Sequence, residues 1–238
     1  MDKPLYRRVL VKISGEALCG EGGVFDFGVI RRVAGVLLRC SKLGVQVGVV
    51  VGAGNIWRGG RSDGMTDRSR ADHMGMLATM LNCLALADCL EDAGADVRVQ
   101  ASIDMRAVAE PYARLRAIRH LEKGRIVIFG CGLGIPFIST DTAAVHRGME
   151  IGADIILLAK NVDGVYDDDP NVNPQAKKYD FLSPHDFLRQ NLAAMDATAA
   201  SLSLDSRVPV LLFALRDPEN IIRAVCGEAV GTIVRKEN

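Results

Sequence analysis

Apolar and polar positions along the chain fall into blocks whose period changes at glycines. Val9, Leu10, Val11 and Ile13 form a short apolar run ending at Ser14-Gly15, which predicts a strand that feeds a loop, and residues 20–23 prolong that loop with glycine. From Asp26, a good N-cap, Phe27, Ile30, Val33, Val36 and Leu37 recur at helical spacing until Gly44, predicting an amphipathic helix of roughly 17 residues. Residues 45–51 are apolar almost throughout, as expected of a parallel strand covered on both faces, and run into Gly52-Ala53-Gly54.

The alternation continues. A long helix is predicted over 72–92, stopped at Gly94, then a short strand around Val97 and Val99, then a helix whose apolar face carries Leu115, Ile118 and Leu121. Residues 126–129 read as a strand leading into Gly130-Cys131-Gly132-Leu133-Gly134, followed by a helix from near Thr140 and a strand over 155–159. A strand over 208–213, a short helix over 218–225 and a last strand at 232–234 complete an α/β pattern: a mainly parallel sheet with helices on both faces.

Bulk properties narrow the classes. The chain has 238 residues, 49% of them hydrophobic, enough for one full core, so a single domain over 1–238 is expected. Lys plus Arg equals Asp plus Glu at 29 each, so no global basic excess marks a nucleic-acid binder, and an anionic ligand must be held by local groups. No apolar run approaches roughly 18 residues and no cleavage site follows a basic start, which predicts a cytoplasmic protein with no membrane partner. Six cysteines without C-x-x-C spacing read as reduced, mostly buried thiols, and the four histidines lack zinc-ligand spacing.

Ligands of open α/β sheets bind beyond the carboxyl ends of the strands, where this chain places its glycine-rich loops. Glycines let backbone N–H groups approach an anion, and a helix N-terminus behind them adds favourable partial charge. Residues 54–59 resemble the start of a P-loop, but Gly60-Arg61 stands where Lys-Ser/Thr is required; residues 130–134 lack dinucleotide-fingerprint spacing. Lys12 lies in a strand otherwise suited to burial, where a lysine either snorkels or pairs with an anion, and Ser14-Gly15 beside it favours the anion. Arg58 and Arg61 could clamp phosphate, and Asp141 could cap its helix, orient Lys12, or both. The acidic turn at 163–170 is no EF-hand, because Pro174 replaces the required glycine.

Five segments then carry a resemblance: VKISGEAL at 11–18, GAGNIWRG at 52–59, DHMGMLAT at 72–79, PFISTDTAA at 136–144 and NVDGVYDDDP at 161–170. Together, in order and over nearly the whole chain, they closely resemble the bacterial UMP kinases of the amino acid kinase family. The resemblance implies an α/β/α sandwich with an open sheet, a homohexamer, and reversible transfer of the ATP γ-phosphoryl group to UMP in pyrimidine nucleotide biosynthesis. Magnesium is implied as cofactor, brought by the ATP phosphates without a dedicated protein site. GTP is implied as an activator and UTP as an inhibitor.

By motif match, Lys12, Ile13, Ser14 and Gly15 approach the ATP phosphates with Gly54 and Arg58, while Lys160, Tyr166 and Asp169 line the adenosine side. Asp72 matches the residue that binds the UMP ribose. Ala53 and the run Leu133, Gly134, Ile135, Pro136, Phe137, Ile138, Ser139 and Thr140 match the segments that enclose UMP. Asp141 is assigned to organising the catalytic lysine and Asp196 to supporting it. Gly20, Glu21, Gly22, Gly23, Val24 and Phe25 align with the GTP-responsive region. Three positions depart from the pattern: Ala53 replaces a glycine, and Leu133 and Ile135 replace polar residues that would read the uracil edge. The rival readings are a superfamily member that phosphorylates a carboxylate, against which DHMGMLAT argues, and a catalytically weak nucleotide sensor.

Overall fold

The computed structural model describes residues 3–20, 23–57, 67–170 and 172–236. The apolar runs pair as β1 (Arg8–Ile13), β2 (Gln46–Val51), β3 (Val97–Ala101), β4 (Glu110–Pro111), β5 (Ile126–Gly130) and β6 (Ile155–Lys160). Two short strands follow, β7 (Val165–Tyr166) and β8 (Lys178–Tyr179), which form a separate antiparallel pair. Then come β9 (Phe181–Leu182), β10 (Val210–Ala214) and β11 (Thr232–Val234). Among the described residues the main sheet has nine strands in the order β4-β3-β5-β2-β1-β6-β10-β11-β9. Only the β10–β11 pairing in it is antiparallel. The chain leaves β1 for β2 on one side and returns to β6 on the other, so the strand order reverses at β1. A crevice at the carboxyl end of β1 is the position this topology favours for a ligand.

Helices α1 (Phe27–Lys42), α2 (Arg68–Asp92) and α7 (Glu219–Val225) cover one face; α3 (Arg114–Glu122), α4 (Thr140–Ile151), α5 (Pro184–Arg189) and α6 (Ala197–Asp205) cover the other. Strand alternation decides which side chain goes where. Val9, Val11 and Ile13 join the core with Ile30 of α1 and Ile221 of α7, whereas Leu10 joins the core with Val145 of α4 and Ala200 of α6. Lys12 has the parity of Leu10 and therefore points to the α4 side. Lys160 has the parity of Ile156 and Leu158, which face the same side from the neighbouring strand.

The sequence pattern and the structure differ in particular places. Helix α2 begins at Arg68, one turn before the predicted Asp72, because the Asp67 carboxylate caps it by accepting from the Arg70 amide at 3.1 Å. In α3 the buried positions are Ala117, His120 and Leu121, while Leu115 is 73% exposed. Helices α5 and α6 carry no apolar period strong enough to predict them. Residues 15–18 form a short 3₁₀ turn where only a loop is expected. Four of the six cysteines, Cys40, Cys83, Cys89 and Cys131, are buried. Helix α2 is long and apolar enough to cross a membrane by composition; here Cys83, Leu86 and Leu90 pack into the core.

Candidate active site

The parity of Lys12 and Lys160 brings both ammonium groups to one carboxylate. Asp141, in the first turn of α4, is 8% exposed and lies 2.9 Å from Lys12 Nζ through Oδ1; Lys160 Nζ donates to its other oxygen. Burial alone pushes the Asp141 carboxyl upward, but the two ammonium groups outweigh it and hold the group below its ordinary value. Lys160 is pulled below the usual lysine range by burial first; Asp141 opposes that shift and the nearby Lys12 charge adds to it. Lys12 Nζ also donates to Ser14 Oγ at 3.3 Å.

Asp141 is free for this work because Ser139 caps the helix, its hydroxyl accepting from the amides of Asp141 and Thr142 at 3.1 Å each. Ser139 in turn donates to Asp196, whose other oxygen accepts from Thr142 Oγ1 at 2.8 Å and from the Ala199 amide at 3.0 Å. Asp196 thus caps α6 and pins it to the N-terminus of α4. It is connected to Asp141 through Ser139, two hydrogen bonds away, and is not among the residues lining the cleft.

A cleft of about 420 Å³ opens above this cluster. Its floor is Lys12, Ser14, Gly15 and Asp141, with Gly52, Ala53 and Gly54 from the loop after β2 and the N-terminus of α4 at Ser139 and Thr140. Gly15 has no room for a side chain: a Cβ there would lie 2.6 Å from the Gly52 carbonyl oxygen. Ile13 is fully buried behind the floor. Ala53 has no positive φ, so its methyl group replaces a glycine hydrogen without backbone strain.

The far end is apolar. Leu133, Ile135, Phe137 and Ile138 line the cleft together with Trp57 and Met76, and Arg68 and Asp72 are the charged residues with them; Gly134 and Pro136 belong to the same loop but do not line it. Asp72 receives both contacts of Arg68 Nε at 2.9 Å and the Phe137 amide at 2.9 Å, and the Arg68 guanidinium sits 5.4 Å from the Phe137 ring centre. Cys131 and Phe137 have φ of 62° and 68°, a left-handed backbone that non-glycine residues rarely adopt and that recurs at functional loops. The loop is seated from behind by residues the sequence does not single out. Ser102 Oγ donates to the Gly132 carbonyl at 2.7 Å and accepts from the buried Arg147 at 3.0 Å, and the Cys131 amide donates to Thr79 at 2.9 Å. No spacing signal marks Ser102 or Arg147, because they meet the loop only through the fold.

Tyr166 and Asp169 stand apart from the cleft lining, on the segment that carries β7; the Tyr166 hydroxyl donates to Asp163 at 2.9 Å. Lys160, grouped with them in the sequence reading, is brought to Lys12 and Asp141. Gly20, Gly23, Val24 and Phe25 precede α1, with Phe25 packed on the core. Arg58, Arg61, Glu21 and Gly22 lie outside the described residues.

The amino acid kinase family model matches residues 7–222. The UMP kinase of Bacillus anthracis superposes with a TM-score of 0.94 at 42% identity, over 98% of this chain and 97% of that one. The UMP kinase of Ureaplasma parvum gives 0.91 at 36% identity, over 97% and 99%. The uridylate kinase of Archaeoglobus fulgidus gives 0.74 at 30% identity, over 95% and 99%. A family model spanning most of the chain and full-length structural likeness at these identities agree with the sheet order and the lysine-carboxylate cluster, and the chain belongs to the amino acid kinase family.

Proposed function

We propose that this chain transfers the γ-phosphoryl group of ATP to UMP, giving ADP and UDP for pyrimidine nucleotide synthesis. The observation that carries the reading is the Lys12–Asp141–Lys160 cluster, whose Lys12 and Asp141 form the floor of a cleft that runs on to Asp72 while Lys160 pairs with Asp141 beside it. Two ammonium groups share one buried carboxylate. Attraction and repulsion between such charges are of the same order, about 4 kcal/mol at 4 Å in the dielectric near a protein surface, so one carboxylate cannot offset both cations. An anion above them would complete the balance that Asp141, with the more distant Asp196 acting on Lys160, leaves open, and the glycine floor and the α4 N-terminus suit a phosphate.

In this reading Lys12 neutralises an equatorial oxygen of the transferring phosphoryl group, while Asp141, anchored through its other oxygen by Lys160, holds the Lys12 ammonium in place. A UMP phosphate oxygen, already ionised at neutral pH, attacks the γ-phosphorus in line as the bond to the ADP oxygen breaks, so no general base is required. Arg58 would close on the phosphates from the loop after β2. Among the described residues three carboxylates line the cleft, Glu16, Asp72 and Asp141, and Asp141 has both oxygens on lysines. That donor set fits a magnesium ion delivered by ATP and held mainly by phosphate and water, where it would neutralise further charge on the β- and γ-phosphates.

Acceptor residues follow from the other end: Asp72 for the ribose hydroxyls, and Leu133, Ile135, Phe137 and Ile138 as the wall against the base. Tyr166 and Asp169 are proposed for the adenosine side, UTP as a competitor at the acceptor end, and residues 20–25 as the segment that responds to GTP. We further propose a cytoplasmic homohexamer of single-domain chains. Met74, Leu77, Leu81 and Leu84 form one exposed apolar stripe along α2, a face suited to a second copy.

The decisive assay supplies magnesium-ATP with UMP, CMP, dUMP, aspartate or acetylglutamate and measures ADP release. ADP formation dependent on UMP is expected; its absence sinks the proposal, and dependence on a carboxylate substrate transfers the chain to another branch of the family.

A further inference from the structure

Asn82 has no part in the mechanism above, yet it is a fully buried amide in the middle of α2. A buried amide is costly unless its hydrogen bonds are made, and here they are. Asn82 Nδ2 donates to the Gly52 carbonyl at 2.6 Å and to Asn55 Oδ1 at 2.8 Å, while its Oδ1 accepts from Asn55 Nδ2 at 3.0 Å. Asn55 Nδ2 also donates to the Val24 carbonyl at 2.8 Å. The two backbone carbonyls need donors, so each fixes the orientation of one amide, and the remaining donors and acceptors then match head to tail.

This pair forms the seat of the donor loop. A Cβ on Gly15 would fall 2.4 Å from Asn55 Oδ1 and 2.6 Å from the Gly52 oxygen, and a Cβ on Gly52 would fall 3.2 Å from the Gly15 nitrogen. The backbones at the ends of β1 and β2 therefore touch without slack, and the atoms that set the contact are those Asn82 holds. We propose that Asn82, acting through Asn55 and the Gly52 carbonyl, is a positioning residue for the phosphate-donor end of the cleft, and that it ties this end to the Val24–Phe25 segment. The inference rests on the phosphoryl-transfer reading, and it adds a link from the core of α2 to the donor floor.

The test compares wild type, Asn82→Ala, Asn55→Ala and the double variant in steady-state kinetics, thermal melting, ATP binding by calorimetry, and UMP binding followed by fluorescence of Trp57, the sole tryptophan, which lines the cleft. Displacement of a positioned group costs rate steeply, so kcat/KM for ATP is expected to fall roughly ten- to a hundredfold in Asn82→Ala. UMP affinity, which in the proposed reading rests chiefly on Asp72 and the 133–138 loop, should fall by a clearly smaller factor than ATP affinity, although Ala53 shares the loop that Asn82 seats. The double variant should be no worse than Asn82→Ala, since both substitutions remove one seat. A folded Asn82→Ala with wild-type kcat/KM for ATP overturns the proposal. So does equal weakening of ATP and UMP, which indicates general loosening. If Asn82→Ala does not fold, Asn55→Ala decides, because its side chain is only half-buried; unchanged ATP kinetics there overturns the proposal equally. A wild type that makes no UMP-dependent ADP removes the function reading alone, and the ATP calorimetry still tests the seat.

Discussion

At one end of the cleft, Lys12, Asp141 and Lys160 are held by ion pairs inside the fold, with Asp141 only 8% exposed. At the other end, Ile135 and Phe137 are 56% and 66% exposed, and their loop is shaped by two residues with left-handed backbone. The difference is one of what fixes position. Charges of both signs in a buried cluster accept few arrangements, because a displaced partner leaves an uncompensated charge. Apolar side chains at a rim accept many, because their contacts have little direction. In the proposed reading the donor end is thus a tightly paired device for charge, and the acceptor end a surface whose selectivity depends on small steric and polar details.

The largest effect should come from breaking the donor end. Lys12→Ala removes the group proposed to meet the transferring phosphoryl, and loss of one such preorganised charge costs roughly a hundred- to a thousandfold in kcat. Turnover at saturating ATP and UMP measures it, and near-normal turnover would show that the lysine has only a packing role.

Asp141→Asn should come next, lowering kcat roughly tenfold or more by releasing Lys12 and Lys160. It also carries a pH signature. The folded-state pKa of Asp141 lies below its ordinary 3.8, so its contribution to stability is complete above that value and is lost as pH falls through the folded pKa. The gap in melting temperature between wild type and Asp141→Asn should therefore be widest near neutrality and shrink in acid. A gap that stays constant down to about pH 2 would mean that the carboxylate is not what the lysines stabilise.

The contrast also explains what the sequence disclosed. Apolar runs and glycine stops located β1, β2, β5, β6 and α1 because each buries a regular face. They did not disclose α5 or α6, which are short and owe their ends to Ser183 and Asp196 caps rather than to period. Lys12 was legible as an awkward charge in an apolar strand. That Lys160 joins it required the β1–β6 register, and that Ser139 frees Asp141 from capping required the helix itself. Asn82, Ser102 and Arg147 were silent, since each acts on a loop distant in sequence, by 30, 30 and 45 residues in their hydrogen bonds. Family likeness, not spacing, carried the acceptor residues.

At the acceptor end, Asp72→Ala should raise KM for UMP roughly tenfold, the worth of one charge-assisted hydrogen bond, and leave KM for ATP unchanged. The substitution also strips Arg68 and the Phe137 amide of their partner. Separate titrations of UMP and of UMP lacking the 2′-hydroxyl divide the two effects: a ribose contact predicts that the variant no longer distinguishes them, whereas loop disorder alone predicts that both weaken in parallel.

The smallest effect probes Leu133 and Ile135, where the apolar rim replaces polar side chains. Uracil and cytosine differ at one edge by exchange of a carbonyl and an amino group, and an apolar wall cannot tell these apart by hydrogen bonding. Preference for UMP over CMP is then left to backbone groups of the 130–137 loop, whose Gly132 carbonyl is oriented by Ser102, and to polar side chains such as Thr79 and Thr140 that line the same cleft. Leu133→Thr and Ile135→Asn would place donors and acceptors at that edge. They are expected to change the UMP-to-CMP ratio of kcat/KM by roughly tenfold or less, the range open to one exposed polar contact, with ATP kinetics unaffected. A ratio that does not move in either variant would place base discrimination in the backbone of the loop or in those threonines. For the backbone, the seat at Ser102 is the position to change, and Ser102→Ala should lower the ratio that Leu133 and Ile135 leave untouched.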